Sequence, residues 1–397
     1  MSPAAPLTNA EIDYQRSITP GIANRVHFNH AGASLTPQPV IDAVGQHLAL
    51  EADIGGYESA AEASEAEQQV YASIAQLIGA KPTEIARAEH ATVAWAQGFW
   101  ALPMEKGQRI LTVEAEYGAN AVSYLRAVER HGVHVEVVPS GPDGAVDLDA
   151  LDATIGPDVA MVSITHVPTN GGLVNPAVEV GRIAKAAGVP YLLDACQSVG
   201  QLNVNVDEVG CDLLSVTGRK YLRGPRGTGF LYARSSIIDR MNTDHPDHHS
   251  ANWVAPDRYE LLPDARRFEW WEYNHALWLG LGAAVDHALG VGIGRIEATV
   301  KARADELRAA LEANDFPVFD LGTERCGIVT TNVPGIDATA AKTALTERSI
   351  NTSVSSPDAT LWDSERRGLT DLLRTSVHYT TTTNDIDTLI EAMTGLR

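Results

Sequence analysis

The feature that most constrains this chain is an alternation of short apolar runs with helix-like stretches through its first two thirds. Apolar runs bounded by turn residues lie at 109–113, 134–138, 159–164, 190–194, 212–216 and 229–233, and helix-like stretches such as 119–131 and 176–187 lie between them. Strand–helix alternation of this kind implies a mostly parallel sheet covered on both faces. Near-continuous apolar runs such as Val-Ala-Met-Val-Ser-Ile at 159–164 are what a doubly covered strand requires. Ligands of such sheets sit beyond the carboxyl ends of the strands, so residues just after those runs are the first candidates for function.

The pattern changes after about residue 255. A long helical stretch, 276–314, is followed by shorter strand-like pieces at 326–331 and 374–378 and by a closing amphipathic helix at 384–396. The expected organisation is an N-terminal segment 1–24, polar and irregular, a large domain 25–270, and a smaller α+β C-terminal domain 271–397. A chain of 397 residues can build two unequal domains of this kind.

Lys and Arg total 30 against 51 Asp and Glu, a net charge of -21. Such a surface repels nucleic acid and anionic membranes, and any anionic ligand must be held by a local cluster of donors. The opening MSPAAPLTNAEID lacks the apolar stretch of a targeting peptide. The most apolar stretch, 276–294, is interrupted by Asp286 and His287, against a membrane span. Three cysteines, 196, 211 and 326, make neither a disulfide framework nor a CxxC metal site; a cytoplasmic protein is expected. The run Asp244-His-Pro-Asp-His-His249 lacks the helical spacing that would converge metal ligands, so no metal is expected.

Three segments at strand ends carry chemistry. In Tyr191-Leu-Leu-Asp-Ala-Cys-Gln197 an apolar strand delivers Asp194, with Gln197 one turn later. In Thr217-Gly-Arg-Lys220 a lysine sits in a glycine-rich turn beside Thr217 and Arg219, and Ser163-Ile-Thr-His166 ends another strand. Singly, each has a plainer explanation: an Asp after a strand is often a helix cap, and a Lys in such a triplet is often a solvated surface charge. Together they supply what pyridoxal 5'-phosphate (PLP) chemistry needs. A lysine amine forms a Schiff base and moves protons on the substrate. A carboxylate faces the pyridine nitrogen. Neutral donors and a basic group hold the phosphate beside a helix start.

These segments resemble class V aminotransferase-like PLP enzymes of fold type I, a family that includes cysteine desulfurases and isopenicillin N epimerase. The likeness runs from about residue 25 to the C-terminus and includes Phe28-Asn-His-Ala-Gly-Ala-Ser34, Asp194-Ala-Cys-Gln197, Thr217-Gly-Arg-Lys220, the loop His166–Pro176, and Arg374-Thr-Ser-Val-His-Tyr379. It implies an α/β fold with a mostly parallel seven-stranded sheet, PLP as cofactor, a small-molecule amino-acid substrate and a homodimer. It also implies roles. Lys220 would bond to the cofactor as the catalytic residue, Asp194 would pair with the pyridine nitrogen, and Gln197 would meet the phenolic oxygen. Thr217 and Arg219, with Ala91 and Thr92, would hold the phosphate. Tyr117 would stack on the ring where the family often has a histidine, and His166 would join the cofactor site. Arg374, with Asn29, Tyr57 and Thr169, would bind substrate. The segment 267–274 would reach the neighbouring subunit's phosphate, although Glu272 stands where the family often has a threonine.

Within that family, a desulfurase that works through a persulfide needs a mobile cysteine shortly before the arginine strand, and the stretch 350–373 has none. Three further stretches, at 51–57, 116–120 and 219–227, resemble the C–S lyase of ergothioneine biosynthesis and the enzymes that process cysteine S-conjugates in lincosamide antibiotic pathways. The expected reaction is β-elimination from an S-substituted cysteine, releasing thiol or sulfenate, pyruvate and ammonia. Decarboxylative deamination of the conjugate, epimerisation and transamination are the alternatives.

Overall fold

The computed structural model describes residues 4–397. Seven strands form one sheet: β1 (Ile85–Ala88), β2 (Arg109–Val113), β3 (His134–Val138), β4 (Val159–Thr165), β5 (Tyr191–Asp194), β6 (Leu213–Thr217) and β7 (Gly229–Ala233), in the order β1-β7-β6-β5-β4-β2-β3. Only β7 runs against its neighbours; every other pairing is parallel. The class expected from the alternation, an α/β fold with a mostly parallel sheet, is the class observed.

Both faces of the sheet are buried, and strand periodicity assigns residues to each. Leu192 and Leu213 pack with Phe99 and Trp95 on one side, whereas Leu193 and Leu214 pack with Val180 and Ile183 on the other. The covering helices include α2 (Ala91–Ala101), α3 (Gly118–His131) and α4 (Ala177–Ala187). Strand β1, too short to stand out as an apolar run with Arg87 in its middle, is the one strand of this sheet that the sequence pattern does not reveal.

Two expectations change. The polar opening is not irregular: α1 (Asn9–Ser17) is a helix with a full capping box, Thr8 and Glu11 satisfying each other's end of the first turn. Its buried Ile12 anchors it, and Arg16 pairs with Asp385 at 2.6 Å, which fastens it to the C-terminal part of the chain. The stretch 276–314 is two helices, α5 (His275–Val291) and α6 (Ile293–Ala313), bent by 80°. Gly292, at φ 92, sits between them in a conformation that residues with a Cβ rarely adopt. No single helix among the described residues is long and apolar enough to cross a membrane. Beyond α6, β8 (Ile328–Thr331), β9 (Ser353–Ser355) and β10 (Leu372–Ser376) form an antiparallel sheet in the order β8-β10-β9.

Candidate active site

The C-terminal ends of β4, β5 and β6 carry Thr165, Asp194 and Thr217, with Thr165 in register with Asp194 and Asp194 with Ser215. Beyond them opens a cavity of about 310 Å³. Its walls bring together Asp194, Gln197, Thr217, Arg219, Lys220, Ala91, Thr92, Tyr117 and Thr169, residues drawn from segments more than a hundred positions apart. One end is formed by the start of α2, where Ala91 and Thr92 present the unpaired N–H groups and positive dipole end of a helix.

The turn that presents Lys220 is tightly built. A Cβ at Gly218 would lie 2.2 Å from the Thr228 hydroxyl, so only glycine lets the turn close against the next strand. Arg219 donates from Nη1 to the Gly32 carbonyl at 2.6 Å, and Gln197 donates from Nε2 to the Ala31 carbonyl at 3.0 Å. Both contacts lay the turn 29–34 along the cavity wall. Burial holds the Lys220 amine down at about 8, assisted by the nearby Arg219 and Arg374 guanidiniums and opposed by Cys196 and Asp194.

Asp194 is buried, accepting from Cys196 N at 2.9 Å on Oδ1 and from Asn120 Nδ2 at 3.0 Å on Oδ2. Tyr117 caps α3 and is 41% exposed at the cavity edge. Burial, with the charge of Asp194 nearby, keeps its phenol above the usual tyrosine range, so it is neutral near pH 7. Arg374, on β10, is buried and donates to the Thr169 hydroxyl, and its charge reaches Lys220.

Four sequence-derived site residues are off the cavity wall; one of them, Arg374, reaches it through Thr169. His166 follows Thr165 on β4, and strand alternation sends the two side chains to opposite sides. Thr165 lines the cavity while His166 faces a separate pocket with Asn175, Leu202 and Lys301, its imidazole held down to about 4 by burial. Tyr57 is 81% exposed at the start of helix Gly56–Ile78, outside this cavity. Asn29 pairs with Ser376 beside the wall rather than lining it. Within the segment 244–249, His249 meets Glu269 at 2.9 Å, and Asp247 accepts from the backbone of His249, Ser250 and Trp271. Sequence reasoning missed Asn120, Thr165, Trp95 and Arg226 on the cavity wall and Glu116 behind it. Strand period two would have chosen Thr165 over His166; Asn120 lies inside a quoted motif but has no signal of its own.

The residues present fit PLP. Gln197 Oε1 and Arg374 Nε are buried without hydrogen-bond partners, Asp194 ends a strand facing the cavity, and donors cluster at the helix start for a phosphate. An α/β sheet with a lysine turn and an opposed aspartate beyond its strand ends defines a PLP-dependent enzyme of fold type I.

Comparison with known proteins gives the family. The Aminotransferase class-V family matches residues 26–389, and the chain belongs to it. A probable cysteine desulfurase of Xylella fastidiosa is 30% identical over 348 residues, covering 84% of this chain and 83% of that protein. A probable hercynylcysteine sulfoxide lyase of Mycobacterium tuberculosis is 27% identical over 396 residues, covering 98% and 94%. Among solved structures, the apo cysteine desulfurase of Thermococcus onnurineus superposes with TM-score 0.91 at 25% identity, covering 99% of each chain.

Proposed function

We propose that this chain is a PLP-dependent carbon–sulfur lyase that acts on an S-substituted cysteine by β-elimination. The observation that carries the reading is the pairing of the Lys220–Asp194 cavity with the absence of a cysteine from the stretch 350–373; the thiol on the cavity wall, Cys196, is turned to the Ser215 carbonyl at 3.8 Å. Cys196, Cys211 and Cys326 are all free and buried, with burial pushing each thiol up in pKa. A buried, protonated thiol is a poor acceptor for sulfur. The sulfur therefore leaves with its substituent. The names of the relatives, cysteine desulfurase and hercynylcysteine sulfoxide lyase, support cleavage at a carbon–sulfur bond.

Bound PLP supplies an electron sink for the substrate's Cα. The protein does the rest. Arg374 orients the substrate carboxylate through its planar fork. Lys220, with a pKa of about 8, is close enough to neutrality to take the Cα proton and return it to the leaving group. Asp194 would hold a proton on the pyridine nitrogen of bound PLP, Thr217, Arg219 and the start of α2 would hold its phosphate, and Tyr117, at the cavity edge, would cover its ring. One water is consumed as the three-carbon remnant hydrolyses, so the products are pyruvate and ammonia with thiol from a thioether or sulfenate from a sulfoxide.

The likeness to the family supports a homodimer, and the exposed Tyr57, Trp253, Tyr259 and Trp271 provide apolar area for one. The division at about residues 24 and 270 belongs to the same proposal, with α1 contributing to the C-terminal part. Buried reduced thiols suit the cytoplasm.

The test is incubation with S-alkyl cysteine and its sulfoxide, with pyruvate, ammonia and free thiol measured together. Equimolar pyruvate and thiol from the S-alkyl cysteine, and equimolar pyruvate and ammonia from the sulfoxide, whose sulfur leaves as sulfenate, support the lyase. Intact conjugate inverted at Cα, or an S-linked aldehyde, would replace it with epimerisation or decarboxylative deamination.

A further inference from the structure

Behind Asp194 lies a second carboxylate for which the proposed reaction has no use. Glu116 is 1% exposed and is ringed by hydrogen-bond donors. Its Oε1 accepts from Tyr117 N at 2.7 Å, from Asn120 Nδ2 at 3.0 Å and from the Thr165 hydroxyl. Its Oε2 accepts from Thr112 Oγ1 at 2.8 Å and from Tyr124 Oη at 3.1 Å. The same Asn120 nitrogen donates to Asp194 Oδ2 at 3.0 Å. An amide nitrogen carries two N–H groups, so one side chain bridges two buried carboxylates.

Two carboxylates so close in a buried site do not both ionise at low cost. The partners decide which one keeps a proton. Two of the three donors on Oε1 are N–H groups, which cannot accept. Both groups on Oε2 are hydroxyls, which can. Tyr124 Oη also lies 2.8 Å from Ser163 Oγ, so it has somewhere to send its own hydrogen if Oε2 donates to it. A proton on Oε2 therefore leaves every group in the network satisfied. Asp194, by contrast, receives only N–H donors, from Cys196 and Asn120.

We propose that Glu116 is a positioning residue: carrying a proton on Oε2, it anchors Asn120, and Asn120 in turn fixes the ionised Asp194 carboxylate in the orientation that meets the cofactor's pyridine nitrogen. The assignment rests on the PLP reading of the Lys220–Asp194 cavity. Burial, with the charge of Asp194 added, pushes the Glu116 carboxyl up to about 7, in keeping with a proton held there. The titratable groups that face this network are Tyr117 and Tyr124 from α3, Asp194 and Cys196 from the end of β5, and Lys220 from the opposite wall. Of these groups Glu116, at about 7, changes charge near neutral pH, and Lys220, at about 8, a little above it, so the spectrum is compared at pH values on both sides of 7.

The experiment compares the wild type with Glu116→Gln, Glu116→Ala and Asn120→Ala. PLP affinity is measured by titrating cofactor into the apo-protein, the visible spectrum of the bound cofactor is followed across neutral pH, and melting temperature is recorded with and without PLP. Gln mimics the protonated acid, so Glu116→Gln should keep PLP affinity within about threefold and remove the spectral change near neutrality. Glu116→Ala and Asn120→Ala should both weaken PLP by about tenfold or more, because Asp194 loses its orienting donor, and should shift the spectrum alike. The proposal is overturned if Glu116→Gln is as damaged as Glu116→Ala, since charge would then be what matters. It is equally overturned if the two alanine variants melt lower but bind PLP with wild-type affinity and spectrum. If Glu116→Ala does not fold, Glu116→Gln against Asn120→Ala decides. Absence of any PLP spectrum in the wild type would mark failure of the underlying reading rather than of Glu116.

Discussion

Arg374 donates from Nη1 to both the hydroxyl and the carbonyl of Thr169, the latter at 3.3 Å, and so ties β10 to the loop after β4 beside the cavity. The hydrogen bonds leave Nε buried and free. A guanidinium already oriented by one neighbour presents its remaining donors at little entropic cost. Arg374→Ala should raise KM for an amino-acid substrate by about ten- to a hundredfold while leaving the bound-cofactor spectrum unchanged. Arg374→Lys should recover little, because an ammonium cannot reproduce the fork. Steady-state kinetics with spectra on the same samples check both parts; a lost cofactor spectrum would put Arg374 in the cofactor's own pocket.

The Lys220 amine, lowered to about 8 chiefly by burial, has a signed consequence. Its neutral form grows as pH rises through that value and is nearly complete above it, whereas an ordinary lysine near 10.4 would remain charged. The rate at which apo-protein covalently takes up PLP should therefore rise from pH 6 with a midpoint near pH 8 and level off above about pH 9. Lys220→Ala should bind PLP without covalent attachment, fail to be labelled by borohydride and lose activity by at least about a thousandfold. Stopped-flow absorbance and peptide mapping provide the readouts.

Tyr117 separates the lyase from an epimerase. An epimerase needs a proton donor on the face opposite the lysine, and with His166 turned to another pocket Tyr117 is the remaining sequence-derived choice. The lyase needs only the ring as a cover. Tyr117→Phe should leave pyruvate release within about threefold of wild type, and Tyr117→Ala should weaken cofactor binding through lost stacking. A large fall in the Phe variant, measured by coupled pyruvate assay, would point to proton transfer by the phenol.

Much of this architecture was legible because its signals are local. Apolar strands ending in Asp194 and Thr217 announce themselves by composition and by the turn residues at their carboxyl ends. The turn around Lys220 needs glycine, and Gly218 marks it. The hidden features depend on long-range contact or on facing. The short strand β1 takes its place through pairing with β7, about 145 positions away in the chain. His166 and Thr165 are adjacent in sequence, yet one lines the cavity and the other does not. The helix α1 carried a readable capping box, Thr8 and Glu11, but the burial of Ile12 and the pairing of Arg16 with Asp385 across 369 positions depend on the rest of the fold. Glu116 and Asn120 became interpretable only once Asp194 was seen beside them.

Arg223, three residues after Lys220, tests how the lysine turn is held. It sits at φ 60, a left-handed conformation that costs a residue with a side chain about 1 kcal/mol, so its contacts must offset that strain. Its buried guanidinium donates to the Leu35 carbonyl at 3.0 Å, to Tyr379 Oη at 2.6 Å and to Thr19 Oγ1 at 2.6 Å. These bonds bind the lysine turn to the N-terminal arm and to the segment after β10. Arg223→Ala keeps the strain and strands two buried hydroxyls and the half-buried Leu35 carbonyl, so it should destabilise the protein by about 3 kcal/mol. Arg223→Gly loses the same bonds but relieves the backbone, and should melt slightly above the alanine variant. Both should also bind PLP more weakly, because the Lys220 turn loses its outer support. Thermal melting of the apo-proteins and PLP titration of each variant check the order wild type, glycine, alanine; an alanine variant as stable as wild type would mean that the turn is held by Gly218 and its neighbours alone.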